Sequence, residues 1–200
     1  VKGGLLLENL TLNKYDPFLA SFLNAKLAKG LASVNSSFDI RQDNDQILGH
    51  VSLNELSVSG LKLDHRLTGK PLMTFPGIGV KNGQADLGKQ MIHTGEIKID
   101  SGSIRLLRLE DGTLELAEMP AATGAGQQEI SPESGEGKSV QKDPWHVVLD
   151  DFSADGMTVR FTDNTPMEPV EIVLSGINAG VSGLSTKGDR KGKVSVEMNW

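Results

Sequence analysis

Cysteine is absent from the 200 residues, which removes disulfides, Cys-ligated zinc, iron–sulfur clusters and cysteine nucleophiles from consideration. Aromatic residues are scarce: two Trp, one Tyr and six Phe. No stretch approaches the roughly 20 apolar residues that a membrane-spanning helix needs. Basic residues are outnumbered, 20 against 26 acidic, for a net charge of −6. A general nucleic-acid binder needs a basic surface to displace counterions, so nucleic acid is not an expected partner. No basic-then-apolar signal segment is present. The chain begins at Val1 and stops at Trp200 inside an alternating run, Val194 to Met198. We expect a piece of a longer protein, so these absences say little about the parent.

Glycine is what the chain has in excess. Its 23 residues exceed the usual usage of about 7% without a collagen period. In an apolar, aromatic-poor chain this points to many turns between short strands. Alternation with period two dominates. Strands are expected over residues 4–12 (with Leu6, Leu10 and Leu12 on one face), 31–41, 46–59, 61–65, 85–87, 95–100, 104–109 and 114–117. Beyond these, the pattern resumes at 145–149 and continues at 157–162, 170–174, 178–181 and 193–198. Within 46–59 the apolar phase changes, from Val51 and Leu53 to Leu56 and Val58, which implies a bulge or bend. Asp111-Gly112 is a two-residue hairpin signal between 104–109 and 114–117.

One segment has helical spacing. Tyr15, Phe18, Leu19, Phe22, Leu23 and Leu27 repeat at three and four residues, with Asp16 as N-cap, Pro17 at the first helical position and Gly30 beyond the end. These features predict an amphipathic helix over 16–29, its face of Phe18, Leu19, Phe22, Leu23 and Leu27 capping an open end or inner face of the sheet. Residues 118–143 carry Gly, Pro, Ser, Gln and charge without periodicity, and read as a flexible low-complexity insert. The organisation expected is therefore a β segment over 1–117, the insert, and 144–200 continuing the same sheet. A weak internal repeat supports it. Ser59-Gly60, Ser101-Gly102 and Asp155-Gly156 each open a short strand that is followed by a tight turn and a return strand.

The chemistry of the chain is sparse. His50, His65, His93 and His146 have no metal-ligand spacing and read as surface or rim residues. Asp64 and His65 are strand neighbours pointing to opposite faces. Gly137-Lys138-Ser139 lacks the upstream glycine, strand and helix of a phosphate loop. The acidic clusters Asp43–Asp45, Glu110-Asp111 and Asp150-Asp151 are expected at turns, where such residues favour the backbone geometry. No catalytic set, metal or cofactor is expected, and the chain does not read as an enzyme.

Three stretches in order resemble a known family. The first runs from Leu12-Asn13-Lys14-Tyr15-Asp16-Pro17-Phe18-Leu19 to Leu23-Asn24-Ala25-Lys26-Leu27-Ala28-Lys29-Gly30. The second runs from Gly95-Glu96-Ile97 through Ser101-Gly102-Ser103-Ile104 to Arg108-Leu109-Glu110-Asp111-Gly112-Thr113-Leu114-Glu115-Leu116-Ala117. The third is Trp145 to Thr162. Together they are similar to the large AsmA-like proteins of Gram-negative bacteria, in the branch described as a domain of unknown function. Glu115 departs from the family pattern, where Asn is usual, and the insert is short. The resemblance implies a long periplasmic protein anchored in the inner membrane. Its repeated strands would build an elongated, curved antiparallel sheet with an apolar groove, passing phospholipids between inner and outer membrane.

An open sheet with one apolar face must cover that face with a helix, a second sheet or a ligand. Only one helix is expected here, so either the sheet folds over itself or a groove is left for acyl chains. Leu61, Leu63, Ile97, Ile99, Ile104, Leu106, Met157, Val159 and Phe161 are the expected lining. Expected partners are phospholipid or other acyl chains, adjacent repeats of the same chain at exposed edge strands, and envelope proteins. A structural or assembly module, a periplasmic spacer or an outer-membrane-protein assembly factor with a fully packed core, is the rival expectation.

Overall fold

The computed structural model describes residues 1–20, 24–43, 46–118, 145–188 and 190–198. Eight strands form one open sheet in chain order: β1 (Lys2–Thr11), β2 (Ala25–Asp43), β3 (Gln46–His65), β4 (Pro71–Asp86), β5 (Met91–Arg108), β6 (His146–Asp163), β7 (Val170–Ser185) and β8 (Lys193–Glu197). The sheet is mostly antiparallel and does not close into a barrel. β5 and β6 are the exception, running parallel in unbroken register from Met91↔His146 to Arg108↔Asp163. A strand of 18 residues spans about 60 Å. Connections of four to seven residues reverse direction at β3–β4, β4–β5, β6–β7 and β7–β8, whereas a parallel pair requires the chain to return, between β5 and β6, to the end where β5 began.

The strands are longer and fewer than their alternation suggests. The expected strands 46–59 and 61–65 are one strand, β3; 95–100 and 104–109 are one, β5; the stretch from 145 to 162 is one, β6. What separates them in sequence is a bulge inside the strand. At one level of the sheet, residues with positive φ or broken pairing stand in line: Gly60 (φ 59°), Pro76, Ser101 (φ 55°) and Gly156 (φ 63°), with Gly176 (φ 63°) beside them on β7. At a second level the line is Asn54, Asn82 (φ 56°), Gly95, Asp150 and Gly183 (φ 68°). Glycine and asparagine tolerate the left-handed region, and a bulge bends its strand. Proline, which cannot donate to a ladder, is tolerated in mid-sheet at such a bulge. Two aligned rows of bulges therefore crease the sheet into three panels. The phase change expected between Leu53 and Leu56 is the second crease, where Asn54 is the extra residue between the pairs Ser36↔Leu53 and Asn35↔Glu55.

The expected helix over 16–29 is corrected. A 3-10 turn at Leu12–Tyr15 leads into α1 (Asp16–Leu19), a single turn. Ala25 to Gly30 is already β2, with Ala25 and Leu27 buried and Lys26 exposed between them. Pairing with β3 gives those residues backbone partners at every other position, and period-two burial wins over the helical pattern. Asp16 does not act as N-cap. Its carboxylate accepts from the Leu27 N–H (2.8 Å) and from both terminal nitrogens of Arg66 (2.9 and 3.0 Å), tying α1 to the edge of β2 that β1 no longer covers. Phe22 and Leu23 lie outside the described residues.

Three smaller expectations change. A bulge after Leu7, with Asn9 at φ 51°, puts Leu7 and Leu10 on one face and Leu6 on the other, where it is 66% exposed. The Asp111-Gly112 turn forms, with Gly112 N–H donating to Leu109 O (2.9 Å), but only the bridge Arg108↔Leu114 follows it. A 3-10 turn at Glu115–Glu118 replaces the expected strand. Asp150-Asp151 lies inside β6 at the second crease, not at a turn; Asn44 and Asp45 fall outside the described residues.

Candidate functional site: an apolar sheet face

The cross-strand register converts the sequence into rows. One row reads Leu7, Val34, Leu56, Val80, Ile97, Phe152, Val181 and Val194, one residue from each of the eight strands. The next reads Leu10, Ala32, Val58, Ile78, Ile99, Ala154, Ala179 and Val196. Beyond the first crease lies Leu27, Leu63, Met73, Ile104, Val159 and Leu174. Paired residues share a face, so each row is continuous apolar surface.

The creases keep all rows on the same face. Along β5 the apolar-face positions are 92, 94, 97, 99, 102, 104 and 106; along β6 they are 147, 149, 152, 154, 157, 159 and 161. Steps of two are interrupted by a step of three at each crease, because a bulge adds one residue and restores the side-chain direction. Gly102 sits between Phe75 and Met157, and a Cβ there would approach Phe75 Cδ1 within 2.7 Å and Met157 Cε within 3.3 Å. That contact shows the two side chains converging on one side. All nine expected lining residues fall on this face: Ile97 and Ile99 in the middle panel, and Leu61, Leu63, Ile104, Leu106, Met157, Val159 and Phe161 in the panel beyond the first crease. Sequence reading missed Val34, Leu56, Val80, Phe75 and Phe152; the three-residue steps repeated in β3, β5 and β6 were the signal that would have found them.

The opposite face is largely polar, with the buried Leu72 and Val148 among its apolar exceptions. Along β5 it presents His93, Glu96, Lys98, Asp100 and Ser103, and along β6 Asp151, Ser153, Asp155 and Thr158. Lys98 pairs with Asp100 (3.1 Å) and Lys62 with Asp64 (3.2 Å). Asp150, at the second crease, takes His93 Nε2 (2.7 Å) and Arg190 (2.7 Å) at once. The Arg190 guanidinium, followed by His93, holds its carboxyl below the usual carboxylate range. His50 faces Asp86 at 3.6 Å, and His65 faces Glu115 at 3.7 Å. His50 is exposed, while the other three histidines are half-buried. Among the described residues no cluster of His, Asp and Glu could hold a metal. A depression of about 590 Å³ lies off the apolar face and is lined by residues such as Lys2, Asp39, His50, Asp86 and Lys89. Its charges pair with one another, Lys2 with Asp39 at 2.9 Å and Lys89 with Asp86 at 3.5 Å.

Among the described residues no second layer lies on the apolar face. Contact between elements runs between sheet neighbours, with the turn at Leu12–Tyr15 and α1 on β2, and the turn at Glu115–Glu118 on β5. Leu12 reaches the margin of the face, close to Gly30 and Leu61. The expected cap fares otherwise: Phe18 is 72% exposed, Leu19 is half-buried, and Leu27 belongs to the face itself. Among the described residues the buried apolar side chains are Ala25, Leu27, Ala32, Leu72, Val148, Ala154 and Met157, three of them alanines, and of these Leu72 and Val148 lie on the opposite face. A protein interior packs its large side chains out of water; here Val34, Leu56, Ile97 and Phe152 stay half-buried, shielded by row neighbours alone.

The molecule is thus an open, creased β-sheet with one apolar and one largely polar face. No family model, curated protein or solved structure matches the chain.

Proposed function

We propose that the apolar face is a binding surface for acyl chains, in a non-enzymatic segment of a periplasmic AsmA-like protein that passes phospholipids between inner and outer membrane. The observation that carries the reading is the uncovered face: eight strands align their apolar side chains in rows, and no described element lies on them. A layer of lipid chains removes that surface from water as a second sheet would, at about 25 cal/mol per Å². Rows that run across the strands offer extended apolar tracks without polar interruption, which suits long hydrocarbon chains rather than a compact ligand. The sequence resemblance gives the compartment, the inner-membrane anchor of the parent and the role in envelope maintenance. The rows end on open edges at β1 and β8, where Val194 and Val196 are 72% and 61% exposed. Unpaired edges of that kind fit adjacent repeats of the same chain as partners.

The test is native mass spectrometry on the protein purified from bacterial membranes. Phospholipid masses retained by the wild type and lost on Ile99→Glu support the reading. A wild-type protein that carries no lipid overturns it.

A further inference from the structure

Almost every strand position on the apolar face is uncharged. Among the described strand residues one cation stands there, Arg108, a step of two beyond Leu106 on β5. Its register partner on β6 is Asp163, a step of two beyond Phe161. The pair sits where the last apolar row, Leu106, Phe161 and Ile172, meets the rim of the sheet.

The pair is loosely closed. Arg108 reaches Asp163 Oδ2 at 3.5 Å and the Gly112 carbonyl at 3.3 Å, and among the described residues it has no closer partner. A charge-assisted bond normally closes to about 2.7–2.9 Å, as Arg105 does on Glu115 (2.7 Å) and Arg190 on Asp150 (2.7 Å). The Arg108 side chain is 46% exposed. A guanidinium carries five N–H donors, so most of this one is uncommitted. Asp163 is divided differently. Its Oδ1 accepts from the Thr165 N–H (2.9 Å) and hydroxyl (2.7 Å), while Oδ2 meets Arg108 alone. The Thr165 hydroxyl, then its N–H, hold the Asp163 carboxyl below the usual carboxylate range.

We propose that Arg108 and Asp163 form a headgroup site for a zwitterionic phospholipid, the phosphodiester on Arg108 and the ammonium on Asp163 Oδ2, with the acyl chains running from the Leu106 row onto the face. The surround is acidic, and that selects between headgroups. Glu110 and Asp111 follow Arg108 in the next turn, and Glu168 follows Asp163 in the β6–β7 connection. A purely anionic headgroup meets these carboxylates with Arg108 as its counter-charge, whereas an ammonium beside the phosphate turns them from repulsive to attractive. The other arginines at this end are engaged: Arg66 by Asp16, and Arg105 and Arg160, on the polar face, by Glu115 and Glu171.

This inference rests on the acyl-chain reading and names the lipid, so its test separates the two. The whole chain, freed of lipid, is offered equal amounts of phosphatidylethanolamine, phosphatidylglycerol and diacylglycerol with the same acyl chains, and bound lipid is counted by native mass spectrometry. The wild type is expected to retain phosphatidylethanolamine about fivefold over each of the others. Arg108→Gln is expected to bring phosphatidylethanolamine down to the diacylglycerol level, and Arg108→Lys, which keeps the charge, to preserve part of the difference. Asp163→Asn keeps an acceptor for Thr165 and is expected to erase the preference over phosphatidylglycerol. Arg160→Gln, on the opposite face near the same rim, should change neither ratio. A wild type that retains all three lipids alike, or ratios that survive Arg108→Gln and Asp163→Asn, overturns the inference and leaves the acyl-chain reading standing. Retention of none of the three overturns both.

Discussion

Gly95 of β5 lies against Asn82 of β4 so closely that a Cβ at position 95 would stand 2.9 Å from the Asn82 Cβ and 3.3 Å from the Lys81 carbonyl. Both residues belong to the second crease, and the contact shows that the strands cross it without room for a side chain.

The first prediction follows. Gly95→Ala and Gly102→Ala each force overpacking at a crease, the latter against Thr74 O at 2.8 Å as well as Phe75. Each is expected to lose about 1–3 kcal/mol, seen as a drop of several degrees in Tm by calorimetry. Gly79, in the middle panel of β4, has nothing within 4 Å of an added Cβ. Gly79→Ala is expected to be neutral or slightly stabilising, since it lowers unfolded-state entropy at no steric cost. Equal losses at 79 and 95 would contradict the crease.

The creases also explain how far the sequence could be read. Period-two alternation was enough for an open β-sheet, and the phase change at Leu53–Leu56 located a bend at Asn54. The repeat Ser59-Gly60, Ser101-Gly102, Asp155-Gly156 was visible too, yet its glycines read as punctuation between strands. They lie inside strands, because a left-handed residue can be absorbed as a bulge when neighbouring strands bulge at the same level. The helix over 16–29 failed for a related reason. Residues 25–27 satisfy both a helical and an alternating pattern, and the β3 edge decided between them, which no local signal contains. All nine expected lining residues nevertheless shared a face, since strand identity survives an error in strand number.

A second prediction concerns Asp16 and Arg66. Arg66 donates to both carboxylate oxygens and to the Ala25 carbonyl (2.7 Å), bridging α1, β2 and the β3–β4 turn. The hydrogen bond from Arg66, against the opposing effect of desolvation, holds the Asp16 carboxyl below its ordinary value of 3.8. A depressed folded pKa gives stability that is complete above the ordinary value and fades as pH falls through the folded one. Wild-type stability should therefore decline below about pH 4, and Asp16→Asn should remove that part of the decline. At neutral pH Asp16→Asn is expected to cost about 2 kcal/mol, because Arg66 is left half-buried without its partner charge. Chemical denaturation across pH checks both statements; a variant whose pH profile parallels the wild type contradicts them.

A third prediction separates the two faces. Val159→Glu places a charge in the row between Ile104 and Leu174, and Lys98→Glu changes charge on the polar face. On an uncovered face Val159→Glu meets water in the lipid-free protein, so its cost to stability should stay below about 2 kcal/mol, while acyl-chain retention should fall. In a packed core the same substitution would bury an unpaired charge and cost far more. Thermal unfolding of delipidated protein, read beside lipid retention, distinguishes the two. Lys98→Glu should move neither by a comparable amount.

If acyl chains lie on one face and not the other, Ile99 and Lys98, neighbours on β5, meet different surroundings in the membrane. A photo-activatable cross-linker is placed at Ile99 in one variant and at Lys98 in another, and each is irradiated in bacterial membranes. Phospholipid adducts are expected at position 99, detected by mass spectrometry, and none above background at position 98. Adducts at both positions alike, or protein-only adducts at 99, would contradict it.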